Sequence, residues 1–383
     1  MIKAKYPVEK FREIETPFYY YDLKNLRETL VEINKEKGNF NVHYALKANV
    51  NPQVLKTINE AGLGADCVSG GEVQAALDAG ISPSEIVFAG VGKADWEIKL
   101  GLEKDIFCFN VESIPELEVI NDLAKSKGKT AQVAIRINPN VSAHTHHYIT
   151  TGLSENKFGI NLSELDKVTE LALALKNIKL IGIHFHIGSQ ITDMSSFEGL
   201  CVRINELQES FEAKGIKLAN INVGGGLGIN YEHPNHFPIP DFASYFNVFR
   251  KHLNLREGQT LHFELGRSVV AQCGSLISKV LYIKEGTSKK FAILDAGFTE
   301  LLRPALYQAY HRIENLTSEL DEVEYDVVGP ICESSDSFAK SYFMNETKRG
   351  DLIALRSAGA YGETMASQYN LRNLPKAYYS DEV

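Results

Sequence analysis

The chain has 383 residues, 44% hydrophobic, 10% aromatic and 23% charged, which are proportions of an ordinary globular protein rather than a disordered one. Its net charge of -9 argues against nucleic acid or an anionic membrane as a general partner, because both reward a basic face. The length predicts two domains unless a barrel takes most of the chain.

The opening, MIKAKYPVEKFREIETPF, lacks the apolar stretch of a signal peptide, and no run elsewhere is long enough to span a bilayer, so a cytoplasmic location is expected. The apolar FYYYD at 18–22 follows and could pair with strands much later in the chain. Residues 23–37 have helical period. From Asn39 to Arg267, eight short apolar runs then recur: FNVHYALKA, GADCV, IVFAG, IFCFN, QVAIRIN, KLIGIHFHIG, INVGGG and HFELGR. Between them lie amphipathic stretches such as 52–61, 71–79, 115–127, 162–175, 195–214 and 241–253. Eight strands with intervening helices predict an α/β fold, a (β/α)8 barrel over 23–267 that begins with a helix. Beyond Arg267 the segments SVVAQCGSLISKVLYIKEG, KFAILDAG, EYDVVGP and DLIALRSAG, divided by Gly, Lys and Asp turn signals, predict a mostly β domain over 268–383, joined by 1–22.

The five cysteines form no CxxC pair and no zinc spacing. Cys67, Cys108, Cys201 and Cys273 read as small core hydrophobes. Cys332, in the polar run GPICESSD, stands apart.

Catalytic groups of such a barrel lie at the C-terminal ends of its strands, and the chemically unusual residues fall there. Lys47 follows the first strand, where desolvation would make its amine nucleophilic and suited to a Schiff base; a surface lysine capping a strand is the other reading. Asp66 closes the second run. GGGLG at 224–228 offers side-chain-free amides to a phosphate, or is a tight turn, and it lacks the lysine of a P-loop. Glu264 could keep a cofactor's ring nitrogen protonated, with Arg267 balancing charge nearby, or could be paired with a neighbouring basic group. His184 and His186 share one face at strand spacing. No third metal ligand is evident beside them, and His186 reads better as a planar ring stacked on a cofactor. The denser set His144, His146 and His147 lies in a polar loop, and no metal is expected there.

Taken together the motifs resemble the alanine-racemase-like family of pyridoxal-phosphate (PLP) decarboxylases and, within it, the diaminopimelate decarboxylases. The matching elements are YALKAN at 44–49, GADCVSGGE at 64–72, RINPN at 136–140, KFGI at 157–160, HIGSQI at 186–191, GGGLGI at 224–229, ELGR at 264–267, RPALYQAYH at 303–311, GPICESSD at 329–336 and GAYG at 359–362. They keep the family's order across nearly the whole chain.

The resemblance implies PLP fold type III and decarboxylation of meso-2,6-diaminopimelate to L-lysine and carbon dioxide, the last step of lysine biosynthesis by that route. It implies that Lys47 carries PLP, that His186 stacks on its ring, and that Glu264 faces the ring nitrogen. Asp66 and Gly266 join the cofactor site, and the phosphate is held by Ser189, the loop with Gly225, Gly226 and Gly228, Arg267 and Tyr361. Arg267, Arg303, Tyr307, Glu333 and Tyr361 are expected to bind substrate, the arginines taking the distal carboxylate and Glu333 the distal ammonium. Cys332 resembles the family's catalytic cysteine, supplied by the neighbouring subunit of a homodimer with composite active sites. Related substrates (carboxynorspermidine, ornithine or arginine) and a non-catalytic PLP-binding homologue are the alternatives. One departure is visible, since the family usually has EPGR where this chain has Leu265, and a local backbone change is expected there.

Overall fold

The computed structural model describes residues 6–140 and 157–383; the candidate metal ligands His144, His146 and His147 lie outside the described residues. The first nine strands in chain order are β1 (Phe18–Tyr21), β2 (Asn41–Ala45), β3 (Gly64–Cys67), β4 (Ile86–Phe88), β5 (Cys108–Val111), β6 (Ala131–Arg136), β7 (Ile178–His184), β8 (Asn220–Asn222) and β9 (Thr260–Leu265). Strands β2 to β9 pair in chain order, all parallel, and β2 closes on β9 from Asn41 opposite His262 to Tyr44 opposite Leu265. Each overlaps one of the eight apolar runs, and the expected (β/α)8 barrel is present.

The helices between these strands start where the sequence supplies caps. Asn51 accepts from the Gln53 N–H ahead of Pro52–Glu60, Ser69 from the Glu72 N–H ahead of Gly70–Asp78, Ser113 from the Glu116 N–H ahead of Ile114–Ser126, and Asp241 from the Ser244 N–H ahead of Phe242–His252. Helix Leu23–Glu36 precedes β2, as its periodicity suggests.

Period two along β9 divides its residues between the two faces of the barrel wall. Phe263 faces outward and packs edge-on against Phe246 and Phe249 of helix Phe242–His252, with centroids 5.0 and 4.9 Å away. His262 and Glu264 therefore face the barrel interior. At the barrel floor His262 stacks on His43 of β2 with Nδ1 2.9 Å from His43 Nε2, while His43 Nδ1 lies 3.0 Å from the Glu85 carbonyl.

The remaining strands are β10 (Gly274–Glu285), β11 (Lys290–Leu294), β12 (Ile313–Asn315), β13 (Glu322–Val328), β14 (Ser337–Asn345), β15 (Leu352–Leu355) and β16 (Lys376–Tyr379). They form a mostly antiparallel sheet in the order β12-β15-β10-β11-β13-β14, to which β1 is added by pairing with β10 and β16. The apolar FYYYD thus joins the β-rich part, with Phe18 and Tyr20 packed against Phe11, Ile277, Leu352 and Ala354. One segment read as strand differs: Arg267–Val270 is a short helix, and β10 begins only at Gly274. A buried run as short as SVV carries no periodicity that separates helix from strand. By compactness the chain divides into one unit reaching up to Thr29 and including Ile229–Pro240 and Arg267–Val383, and another of Leu30–Gly228 and Asp241–Gly266.

Candidate active site

Within the barrel unit, the interior side chains at the C-terminal ends of the strands meet around one carboxylate. Glu264, next to last in β9, is buried, and a buried carboxylate is stable only when hydrogen bonds and charge replace the water it has lost. Three side chains from other strands do so. Asn110 of β5 donates to Oε1 at 3.1 Å, Asn222 of β8 donates to Oε1 at 2.7 Å, and His184 of β7 donates from Nε2 to Oε2 at 2.9 Å. Burial works against ionisation, but the His184 charge and hydrogen bond outweigh it and hold Glu264 well below the usual carboxylate range. The basic-partner reading of Glu264 is therefore met, by a histidine that the sequence had offered as a metal candidate.

Asp66 of β3 takes the opposite direction. Burial, then the Glu264 charge, push its carboxyl above the usual range. The two acids are thereby separated, one kept charged and the other ready to hold a proton. Lys47 lies in the single turn Leu46–Ala48 just past β2, with Nζ 3.7 Å from Asp66 Oδ2. Its side chain is 39% exposed, so the amine is half-buried rather than desolvated as the strand pattern suggested.

Two residues beyond β7, His186 accepts from the Gly225 N–H at Nδ1, 3.3 Å away. Burial and the Lys47 and Arg136 charges keep its ring neutral by lowering its pKa well below the usual histidine value. The loop 224–228 is glycine-rich because side chains do not fit. A Cβ on Gly225 would stand 2.0 Å from the Glu264 carbonyl oxygen, and one on Gly224, at φ +70°, would stand 2.2 Å from that of Phe185. At Gly226 and Gly228 a Cβ would come within 2.7 Å of the Gly188 oxygen and 3.0 Å of Gln190. The loop is laced to the 186–191 turn, which contains Ser189, by Ile191 N–H donating to the Gly226 carbonyl and Gly228 N–H donating to the Ile191 carbonyl. Leu265 ends β9 in ordinary register opposite Tyr44, and Gly266 follows it, so strand geometry is kept where the family usually has proline.

The β-rich unit, of Ile229–Pro240 and Arg267–Val383 among others, holds an arginine cluster. Arg267 donates from Nη1 to the Tyr231 hydroxyl at 2.6 Å and lies over the Tyr361 ring at 4.9 Å. Arg303, at the start of the short helix Arg303–Tyr307, lies over the Tyr231 ring, 4.9 Å from its centroid. The two guanidinium charges outweigh burial and lower the Tyr231 pKa. Tyr361 has a left-handed backbone, φ +56°, a conformation that costs energy for a non-glycine residue and so marks a position held by its surroundings.

Cys332 and Glu333 are exposed on the loop between β13 and β14. Among the described residues neither hydrogen-bonds to the arginine cluster; Cys332 N–H donates to Asn370 Oδ1 and Tyr369 donates to Glu333 at 2.7 Å. Asp336 fixes that loop by accepting from the Ile331 and Phe298 N–H groups, both at 2.7 Å.

The lysine, the acids and the arginines were named from sequence, but not the side chains that contact them: Asn110, Asn222 and His184 around Glu264, and Tyr231 and His311 around the arginines. Asn110 carried the same signal as the others, a polar residue closing the apolar run IFCFN, whereas Asn222 stands inside the run INVGGG and carried none. The barrel set fits a phosphate-bearing heteroaromatic aldehyde. It supplies a half-buried amine, a neutral flat ring, a fixed carboxylate, a backbone cradle closed to side chains, and Asp66, whose buried oxygens accept no hydrogen bond among the described residues.

Comparison with known proteins agrees with this fit. The family described as pyridoxal-dependent decarboxylase, pyridoxal binding domain, matches residues 23–271. The diaminopimelate decarboxylase of Bacteroides thetaiotaomicron is 66% identical over 385 residues, covering 100% of both chains. That of Aquifex aeolicus is 42% identical, covering 93% of this chain and 84% of the relative. The crystal structure of diaminopimelate decarboxylase from Helicobacter pylori complexed with L-lysine superposes with a TM-score of 0.91 at 42% identity, covering 97% of this chain and 93% of that one.

Proposed function

The chain belongs to the pyridoxal-dependent decarboxylases and, within them, to the diaminopimelate decarboxylases, and from that premise we propose that it converts meso-2,6-diaminopimelate into L-lysine and carbon dioxide with pyridoxal phosphate as cofactor. The observation that carries the reading is Glu264, buried, held ionised and fixed by three donors at the end of β9. A racemase of this fold is expected to place an arginine at that position, whereas a carboxylate there favours spreading the charge left when a carboxyl group departs.

When bound, the cofactor supplies an electron sink for the pair released as carbon dioxide leaves. Lys47 would hold it through Nζ, with Asp66 beside that amine. His186 would cover one ring face without adding charge, since its Nδ1 is committed to the Gly225 N–H. Ser189, Gly225, Gly226, Gly228, Arg267 and Tyr361 would hold the phosphate, with Gly266 in the same cofactor site, and backbone amides do so at little entropic cost because the loop is already fixed. Glu264 would keep a proton on the ring nitrogen, the role its low pKa suits.

Substrate selection is assigned to Arg267, Arg303, Tyr307, Glu333 and Tyr361. Arg303 is buried and, among the described residues, forms no ion pair with a carboxylate, so its charge is available to a distal carboxylate. Glu333 would take the distal ammonium. Cys332, supplied by the neighbouring subunit of a homodimer, would deliver the proton to the substrate carbon. A cytoplasmic location belongs to the same reading, in keeping with the biosynthetic class of the relatives.

The test is product analysis of the PLP-loaded protein with meso-diaminopimelate, carboxynorspermidine, ornithine and arginine supplied separately. L-Lysine from the first, with the others turned over far more slowly, is the expected result; turnover of a diamine precursor without lysine formation would defeat it.

A further inference from the structure

The helix Arg303–Tyr307 starts with Pro304 in its first turn and ends at Gln308, whose left-handed backbone, φ +53°, reverses the chain. The reversal brings His311 back to Arg303, with His311 Nε2 2.7 Å from Arg303 Nη1 and both side chains buried. On its other side, His311 Nδ1 lies 2.8 Å from the Arg356 carbonyl oxygen. A carbonyl only accepts, so Nδ1 carries the proton and Nε2 is left with the lone pair that Arg303 donates to. The ring also stands edge-on to Tyr231, with centroids 5.2 Å apart at 77°, and Tyr231 is the ring over which the Arg303 guanidinium lies.

We propose that His311 is a positioning residue for substrate recognition: as a neutral acceptor of fixed tautomer it aims Arg303 at the distal carboxylate without neutralising it. The inference rests on the reading of Arg303 as that carboxylate's partner. A carboxylate at position 311 would orient the guanidinium equally well but would cancel its charge and compete with substrate. A neutral imidazole orients one N–H and, with a second committed to the Tyr231 hydroxyl, still leaves donors of the fork for a planar anion. The surroundings hold the imidazole neutral, since burial, then the Arg303 charge, pull His311 down to about 3.

The product makes a binding test that needs no turnover. L-Lysine retains the distal carboxylate, whereas pentane-1,5-diamine is the same molecule without it. The PLP-loaded protein is titrated with each by calorimetry, and the ratio of affinities reports what the carboxylate contributes. His311→Phe keeps a ring against Tyr231 but has no acceptor; it should weaken L-lysine about tenfold and leave the diamine unchanged, the size expected for one hydrogen bond to a charged group. KM for meso-diaminopimelate should rise by a similar factor with kcat nearly constant. His311→Gln, which restores an acceptor, should recover most of the preference for L-lysine. If His311→Phe does not fold, His311→Met, also without an acceptor nitrogen, decides by the same ratio.

Arg303→Met separates the two claims. If it leaves the ratio unchanged, the reading of Arg303 fails. If it abolishes the ratio while the acceptor-free His311 variant keeps it, the assignment of His311 is overturned and that of Arg303 stands.

Discussion

Replacing His184 with phenylalanine removes the Nε2–H that donates to Glu264 at 2.9 Å and leaves the carboxylate buried with Asn110 and Asn222 as its donors. A hydrogen bond to a charged group contributes about 1.5–3 kcal/mol. At about 1.4 kcal/mol per unit, its loss should raise the Glu264 pKa by about one to two units. Because a buried charge is left under-compensated, stability near neutral pH should fall by about 3–5 kcal/mol. Folded Glu264 lies below its unfolded value, so its stabilisation is present above the ordinary carboxylate range and is lost as pH falls through the folded value. Raising the folded value moves that loss to higher pH. Urea unfolding followed by circular dichroism at a series of pH values measures both the stability and the pH over which it is lost. Wild-type stability with an unchanged pH dependence of unfolding would show that His184 does not hold the Glu264 charge.

At the barrel floor, burial followed by repulsion from His43 pulls His262 down to about 3, and His43 is lowered by burial as well. Both are neutral when folded and take protons when unfolded, so their contribution is present above about pH 6.5 and is lost as pH falls toward the lowered values; in His262→Phe the dependence of unfolding free energy on pH over that range should be shallower by about one proton. Gly225→Ala places a Cβ 2.0 Å from the Glu264 carbonyl oxygen and should cost about 1–3 kcal/mol together with PLP affinity, whereas Gly92→Ala, where a Cβ meets nothing within 4 Å, should be neutral in thermal melts and in cofactor absorbance. If Cys332 acts in the neighbouring subunit's site, mixing inactive Lys47→Ala and Cys332→Ala proteins under conditions that exchange subunits should restore activity; persistent inactivity despite verified exchange would place both residues in one chain's site.

The elements that define the fold were legible because each repeats a simple physical period. Eight β-rich apolar runs with capped amphipathic segments between them, and a helix ahead of the first, leave few topologies other than the closed barrel seen. The helix at Arg267–Val270 escaped because two buried valines are too few to show a period. The short β12 and β16 escaped for a similar reason, since IEN and KAYY carry little alternation. In the site, residues with unusual chemistry at strand ends could be named singly, but their partners could not. Asn110 and Glu264 are 154 positions apart and meet only because the barrel closes. His184 shows the limit most clearly: HFH spacing placed it on the same face as His186, yet only the structure shows Glu264 beside it. His311 lay inside a quoted motif without a role, because its tautomer depends on the Arg356 carbonyl 45 residues on.

In the proposed reaction Lys47 and Glu264 together make carbon dioxide release possible. The most direct test of that role follows carbon dioxide and L-lysine in parallel from carboxyl-labelled meso-diaminopimelate, with the PLP-loaded wild type, Lys47→Ala and Glu264→Gln. Equimolar carbon dioxide and L-lysine are expected from the wild type, none from Lys47→Ala, and a rate lower by on the order of a hundredfold from Glu264→Gln. Wild-type rates from either variant, or lysine formed without carbon dioxide, would contradict the account.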